Sequence, residues 1–180
     1  MDTRQLIVQT DAHYASAPMY PREVQGSRYY GLATAESQWV ATAEYTDRLH
    51  AMLAQRYCFV PCQGQPYKSA MEMADDARMH GRILVTTDHS NHPIWSTERN
   101  WRFRGVHDML GHVLAFGVPE FSVLGELQAT GEQARWYPLE LAPVLACEVF
   151  AQAAYQSLHG VFGEQKLVIL PDDLLERILT

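Results

Sequence analysis

Apolar positions recur every three or four residues along most of this chain, and in only a few short stretches do they follow a β-type pattern instead. The clearest stripe lies in 34–57, where Trp39, Ala43, Thr46, Leu49, Leu53 and Tyr57 share one helical face. A second helix is predicted over 66–80, entered through Pro66 and stopped by Gly81, with Ala70, Met71, Met73, Ala74 and Ala77 as its packed side. Helices are also predicted over 100–116, 121–135 and 139–159. Gly125 and Gly131 weaken the second of these, and Pro143 is tolerated in the first turn of the third. After Pro171, DDLLERILT reads as a short helix with an acidic start and Arg177 near its end.

Two runs have β character, RILVTT at 82–87 and KLVIL at 166–170, and pairing them gives the simplest small sheet. Residues 6–8 read as a short strand or an extended arm. Residues 14–30 mix tyrosine, proline and glycine without a period, which describes a loop over the surface or over a pocket mouth. Residues 59–65 are broken by Pro61 and Gly64. The expectation is a mainly α protein with a small β-sheet (α+β), a compact helical bundle carrying a metal site. One domain is expected over 1–180, with 1–32 as an irregular N-terminal arm.

Composition narrows the function. The chain has 180 residues, 47% hydrophobic and 19% charged, which describes an ordinary globule with enough length for a core. A formal charge of −7, with 14 scattered basic residues, argues against a nucleic-acid surface. Cys58, Cys62 and Cys147 make neither a disulfide framework nor a zinc knuckle and read as free thiols. No membrane span is expected and the start resembles no secretion signal, so a cytoplasmic address is the default.

The chemistry concentrates in 102–114, RFRGVHDMLGHVL. Imidazole and carboxylate together suit iron, zinc or manganese better than they suit an apolar core. His107 and His112 are five apart, which on a straight α-helix points them about 140° from each other. They can converge only if the helix ends, loosens or bends, and Gly111 permits that. Asp108 and His112 are i,i+4 and share a face outright. Two ligand pairs are therefore open, His107 with His112 or Asp108 with His112.

The third ligand is expected to be a carboxylate where burial would otherwise be costly. Glu148 falls on the stripe of Leu141, Val144, Leu145, Ala151 and Tyr155 and fits best. Glu126, on a mixed face, is the rival ligand or an acid/base. The polar loop at 87–100 has the character of a pocket edge, and its His89 and His92 are further candidates, although loop surface is the simpler reading. A plain structural reading also stands: core histidines satisfied by carboxylates, with Arg102, Arg104 and Asp108 as an ionic clamp. His50 reads as structural.

HDMLGH followed by a helical glutamate 36 residues later resembles the aromatic amino acid hydroxylases. That family carries a His-Glu-x-x-Gly-His segment and a later glutamate as the three ligands of one non-heme Fe(II). The resemblance implies His107, His112 and Glu148 as metal ligands. Asp108 takes the family's acidic position, where it orients a ligand. It further implies O2 and a tetrahydropterin, or another reductant, as cosubstrates. Arg102 or Arg104 could meet a substrate carboxylate, Trp95 and Trp101 could shape an aromatic pocket, and Asp108 and Glu126 could act as catalytic acid or base.

The function expected is a non-heme Fe(II)-dependent oxygenase or hydroxylase, a monooxygenase acting on a small, aromatic or amino-acid-like substrate. Two alternatives stand beside it: a zinc or manganese hydrolase using a metal-bound water, and a non-catalytic, metal-stabilised interaction domain. The partners expected are a small molecule and O2, with no nucleic acid and no membrane, and with room for a homo-oligomer.

Overall fold

The computed structural model describes residues 2–19, 27–32 and 34–180. The chain is mainly helical with one two-stranded sheet, in the order α1 (Thr3–Ser16), α2 (Ala35–Leu53), β1 (Cys58–Cys62), α3 (Ala70–His80), β2 (Arg82–Thr86) and α4 (Thr97–His107). α4 runs directly into a π-helical turn, π1 (Asp108–Val113). Then come α5 (Val123–Ala134), α6 (Ala142–Leu145), a second π turn, π2 (Ala146–Ala151), α7 (Gln152–His159) and α8 (Asp172–Ile178). No helix among the described residues is long and apolar enough to cross a membrane.

Local chemistry starts these helices. Thr34, Ser69, Ser96 and Ser122 each accept the backbone N–H three residues on, capping α2, α3, α4 and α5. The α2 stripe is buried from Trp39 to Leu53 as expected. On α3 the packed side is Ala70, Met73, Ala74 and Ala77, while Met71 is exposed.

Three expectations change. Residues 6–8 are neither a strand nor an arm: they lie within α1, whose Leu6, Thr10 and Tyr14 form a buried i,i+4,i+8 line packed against α7 and π2. The neighbouring Ile7 and Val8 obscure that line in the sequence. Thr3–Ser16 of the expected irregular arm is thus helix, and the 20–26 part of the expected loop lies outside the described residues.

The sheet is also different. β2 pairs in parallel with β1, from Cys58↔Arg82 to Cys62↔Thr86, and α3 forms the crossover. Pro61 is tolerated because a two-stranded sheet has only edge strands. Residues 166–170 join neither strand; the Leu167 N–H meets the Met19 carbonyl at 3.3 Å, and Leu167, Val168 and Leu170 are buried in the core.

α5 packs across both π turns, while α4 lies on α2 and on β2. The middle of the molecule is therefore made where α5, π1 and π2 meet. Fully buried Met109, Leu110, Leu145 and Phe150 fill the space around them.

Candidate metal centre

The five-residue spacing of the histidines is resolved by the backbone. Over Asp108–Val113 the helix widens to i→i+5 hydrogen bonding, as in Leu114 N–H to Met109 O at 2.8 Å. Residues five apart then stack on one face, so the two imidazoles come together rather than diverging. Their rings stand edge to face at 4.9 Å, and Nε2 of His107 lies 3.1 Å from Nε2 of His112. Gly111 makes the turn possible. A Cβ there would sit 3.1 Å from Ala129 of α5 and 3.1 Å from the His107 ring.

The carboxylate beside them is Glu126, from the first turn of α5. Its Oε2 is 3.1 Å from His107 Nε2 and its Oε1 is 3.5 Å from His112 Nε2. The helix N-terminus favours negative charge at that position. His107, His112 and Glu126 each offer a ligand atom within 4.8 Å of the others, a two-histidine, one-glutamate cluster of the facial-triad kind. The side chains are 12%, 1% and 20% exposed, respectively.

Hydrogen bonding fixes how the imidazoles face. His107 Nδ1 lies 2.9 Å from Gln133 Oε1, and His112 Nδ1 lies 2.6 Å from the carbonyl of Pro119. The Pro119 carbonyl can only accept, so His112 Nδ1 carries the proton and donates it; with Gln133 presenting its Oε1, His107 Nδ1 donates likewise. In the neutral rings each Nε2 is then a bare lone pair, and the two lone pairs face each other beside a carboxylate. A buried acceptor without a donor costs about 1–3 kcal/mol. Such an arrangement calls for a cation, either a proton or a metal.

The distances fit a metal. Donors about 2.1 Å from one ion stand about 3.0 Å apart on an octahedral face and about 3.4 Å apart in a tetrahedron. The two Nε2 atoms, 3.1 Å apart, and the 3.1 Å from His107 Nε2 to Glu126 Oε2 fall in that range, while Glu126 meets His112 at 3.5 Å through its other oxygen. Without metal, a proton takes the place. Burial lowers the His107 pKa, but the hydrogen bond and charge of Glu126 outweigh it and raise the pKa to about 8. Burial likewise pushes Glu126 up, and the two histidines override it, bringing it down to about 2.

Glu148 is buried, as its place on the apolar stripe predicted, but it does not join this cluster. Its carboxylate is met by three donors. Oε1 accepts from Trp39 Nε1 at 2.5 Å and faces His92 Nε2 at 3.3 Å, while Oε2 accepts from Gln152 Nε2 at 2.9 Å. His92 Nδ1 receives the backbone N–H groups of Ile94 and Trp95, so its proton sits on Nε2 and points at Glu148. This closes the pair, and neither residue needs a metal. The carboxylate adjoining the two histidines is Glu126.

Other candidates fall elsewhere. Asp108 receives no imidazole proton; that role belongs to Gln133 and Pro119. It is half-buried, with its carboxyl pushed up by burial against the pull of both histidines. Arg102 bridges α4 to Asp47 of α2 and to Glu98. Arg104 holds the carbonyls of Thr86, Asp88 and His89, tying the loop after β2 to α4. Trp95 is core, stacked on His92 with its Nε1 on the Trp39 carbonyl, and Trp101 donates to the Val85 carbonyl. His89 lies at positive φ and does not join the cluster. His50 packs between Phe59 and Trp101, and all three cysteines are free.

Sequence reasoning did not single out Gln133 or the Pro119 carbonyl. Gln133 had a signal: it is seven residues after Glu126, two turns along one face of α5, so both reach the same imidazole from one helix. The Pro119 carbonyl leaves no trace in residue type.

No protein-family model matches the chain, and neither the curated proteins nor the solved structures searched contain a match. The likeness to aromatic amino acid hydroxylases therefore rests on the local motif, and the site is read from its own geometry.

Proposed function

We propose that this chain is a non-heme Fe(II)-dependent oxygenase or hydroxylase, with His107, His112 and Glu126 as the iron ligands and a small organic molecule as substrate. The observation that carries this reading is the convergence of His107, His112 and Glu126, whose ligand atoms lie within 4.8 Å of one another. Two histidines and a carboxylate leave further coordination positions open, the donor set of non-heme iron oxygenases. Bound there, Fe(II) would supply the activation of O2, with a tetrahydropterin or another reductant as electron source.

The protein's own contribution is positional. Gln133 and Pro119 hold the imidazoles in the ligating tautomer. Met109, Leu110 and Val113 keep water from the back of π1. To Asp108, half-buried with its carboxyl pushed up by burial, this reading gives the role of holding or delivering a proton. A substrate with an aromatic or amino-acid-like body agrees with the motif's resemblance.

One observation favours a second reading. A carboxyl such as Asp108 next to a His2Glu donor set also suits a zinc or manganese hydrolase, with Asp108 as general base. The deciding experiment is metal analysis of protein isolated without oxygen, followed by O2 uptake on adding reductant and candidate aromatic substrates. One equivalent of iron with substrate-dependent O2 consumption supports the oxygenase. Zinc with no O2 uptake refutes it in favour of the hydrolase, and no bound metal refutes both.

A further inference from the structure

Between π1 and α5 two successive described residues lie at positive φ, one of them β-branched. Gly117 lies at φ 79° and Val118 at φ 50°. Glycine adopts that conformation freely, but a β-branched residue there is a genuine outlier, held only when its surroundings impose it. Val118 is also buried. The next residue, Pro119, aims its carbonyl at His112 Nδ1 from 2.6 Å.

The far side of the same turn is locked as well. The Glu120 carbonyl accepts the Ser122 N–H at 2.8 Å, and Ser122 caps α5. Gly125 lies against the Glu120 backbone so closely that a Cβ would drive into it. Gly125 directly precedes Glu126. One short turn thus touches two of the three donors, one through a carbonyl and the other through the seat of its helix.

We propose that the 117–121 turn, strained at Val118 and seated on Gly125, is the positioning element of the metal centre. It sets the tautomer and direction of His112 through Pro119, and it sets the placement of Glu126 through the approach of Glu120 to Gly125. Val118 and Gly125 are positioning residues that never touch a ligand. The metal half of this inference rests on the function proposed above, while the His112 half holds in metal-free protein.

The test compares wild type, Gly125→Ala, Gly131→Ala and Val118→Gly. Gly131 is on the same helix, but a Cβ there would meet only the Ile178 carbonyl at 3.8 Å, an ordinary contact. Two quantities are read: the His112 tautomer in metal-free protein at alkaline pH, from long-range 1H–15N spectra, and the affinity for Co(II). Wild type and Gly131→Ala should carry the His112 proton on Nδ1 and bind Co(II) alike. Gly125→Ala should mix the tautomers and weaken Co(II) by about 10- to 100-fold, the usual cost of losing a ligand's orienting partner.

Val118→Gly should weaken Co(II) in the same direction, and it serves if Gly125→Ala does not fold. A wild-type proton on Nε2 of His112 overturns the proposal. So does unchanged tautomer and Co(II) affinity in a folded Gly125→Ala, or in Val118→Gly if only that variant folds. If wild type shows the Nδ1 proton and Gly125→Ala shifts it, but no protein binds Co(II), the turn's hold on His112 stands and the metal-site reading fails.

Discussion

Two buried histidine–glutamate groups among the described residues, each with a member on a π turn, are opposites. Around Glu148 every acceptor meets a donor: Trp39, Gln152 and the Nε2–H of His92 all point at the carboxylate. Around Glu126 the neutral histidines spend their Nδ1 protons on Gln133 and Pro119 and turn their Nε2 atoms toward each other and the carboxylate, where a metal or a proton is accepted. The residue types are the same, and the difference lies in what Nδ1 meets. Backbone N–H groups on Nδ1 turn an imidazole into a donor and close the pair. A carbonyl on Nδ1 turns it into a ligand and leaves the pair open to a cation.

The largest expected effects separate the two groups. Glu126→Ala should reduce metal occupancy to background, measured on protein isolated without oxygen. Glu148→Ala should leave occupancy in the folded protein intact but strand three buried donors. Breaking a buried pair costs about 3–5 kcal/mol, which is about 10 °C in Tm for a chain of this size. Occupancy lost with Glu148 rather than with Glu126 would reverse the assignment.

Next is the orienting shell. Gln133→Leu removes the acceptor of the His107 Nδ1 proton and should weaken metal binding by about 10- to 100-fold. The matching change in the closed group, Gln152→Leu, should leave metal affinity unchanged. Titration calorimetry on the two variants measures the contrast.

The open group should also respond to pH. With His107 at about 8, metal must displace a proton below that pH, so affinity should fall about tenfold per unit as pH drops below 8. In metal-free protein the signs are opposite on the two flanks. His107 is raised from 6.5 to about 8, so its contribution is complete below pH 6.5 and is lost as pH rises through 8. Glu126 is lowered from 4.5 to about 2, so its contribution is present above pH 4.5 and is lost as pH falls through 2. Denaturant titrations of the metal-free protein across this range should show this pair helping most between pH 4.5 and 6.5.

The smallest effect belongs to Arg102. Its bridges to Asp47 and Glu98 lie near the surface, so Arg102→Ala should cost less than about 1 kcal/mol and leave metal binding unchanged. A large loss of metal affinity there would mean that α4 is held in register from outside the core.

The stripes of α2 and α3 were legible because burial imposes a period on residue type, and Pro143 fitted a first turn because proline lacks the N–H an interior turn needs. α1 was not, because Ile7 and Val8 sit beside the buried Leu6 and blur its stripe. β1 was hidden by Pro61, which rules out a central strand but not an edge. Within the site, His107 and His112 were legible, and so was the need for the helix to loosen between them. The choice of carboxylate was not. Glu148 sits on the more apolar face, and burial alone cannot tell a carboxylate satisfied by Trp39, His92 and Gln152 from one waiting for a metal. That choice depends on where His92 places its proton, which is a backbone matter.

The most direct measurement is metal stoichiometry in wild type, Glu126→Gln and Glu148→Gln, each purified without oxygen and analysed by mass spectrometry of the bound element. The geometry predicts about one equivalent in wild type and in Glu148→Gln, and background in Glu126→Gln. Full occupancy in Glu126→Gln, or none in wild type, would contradict the assignment of His107, His112 and Glu126 as one metal centre.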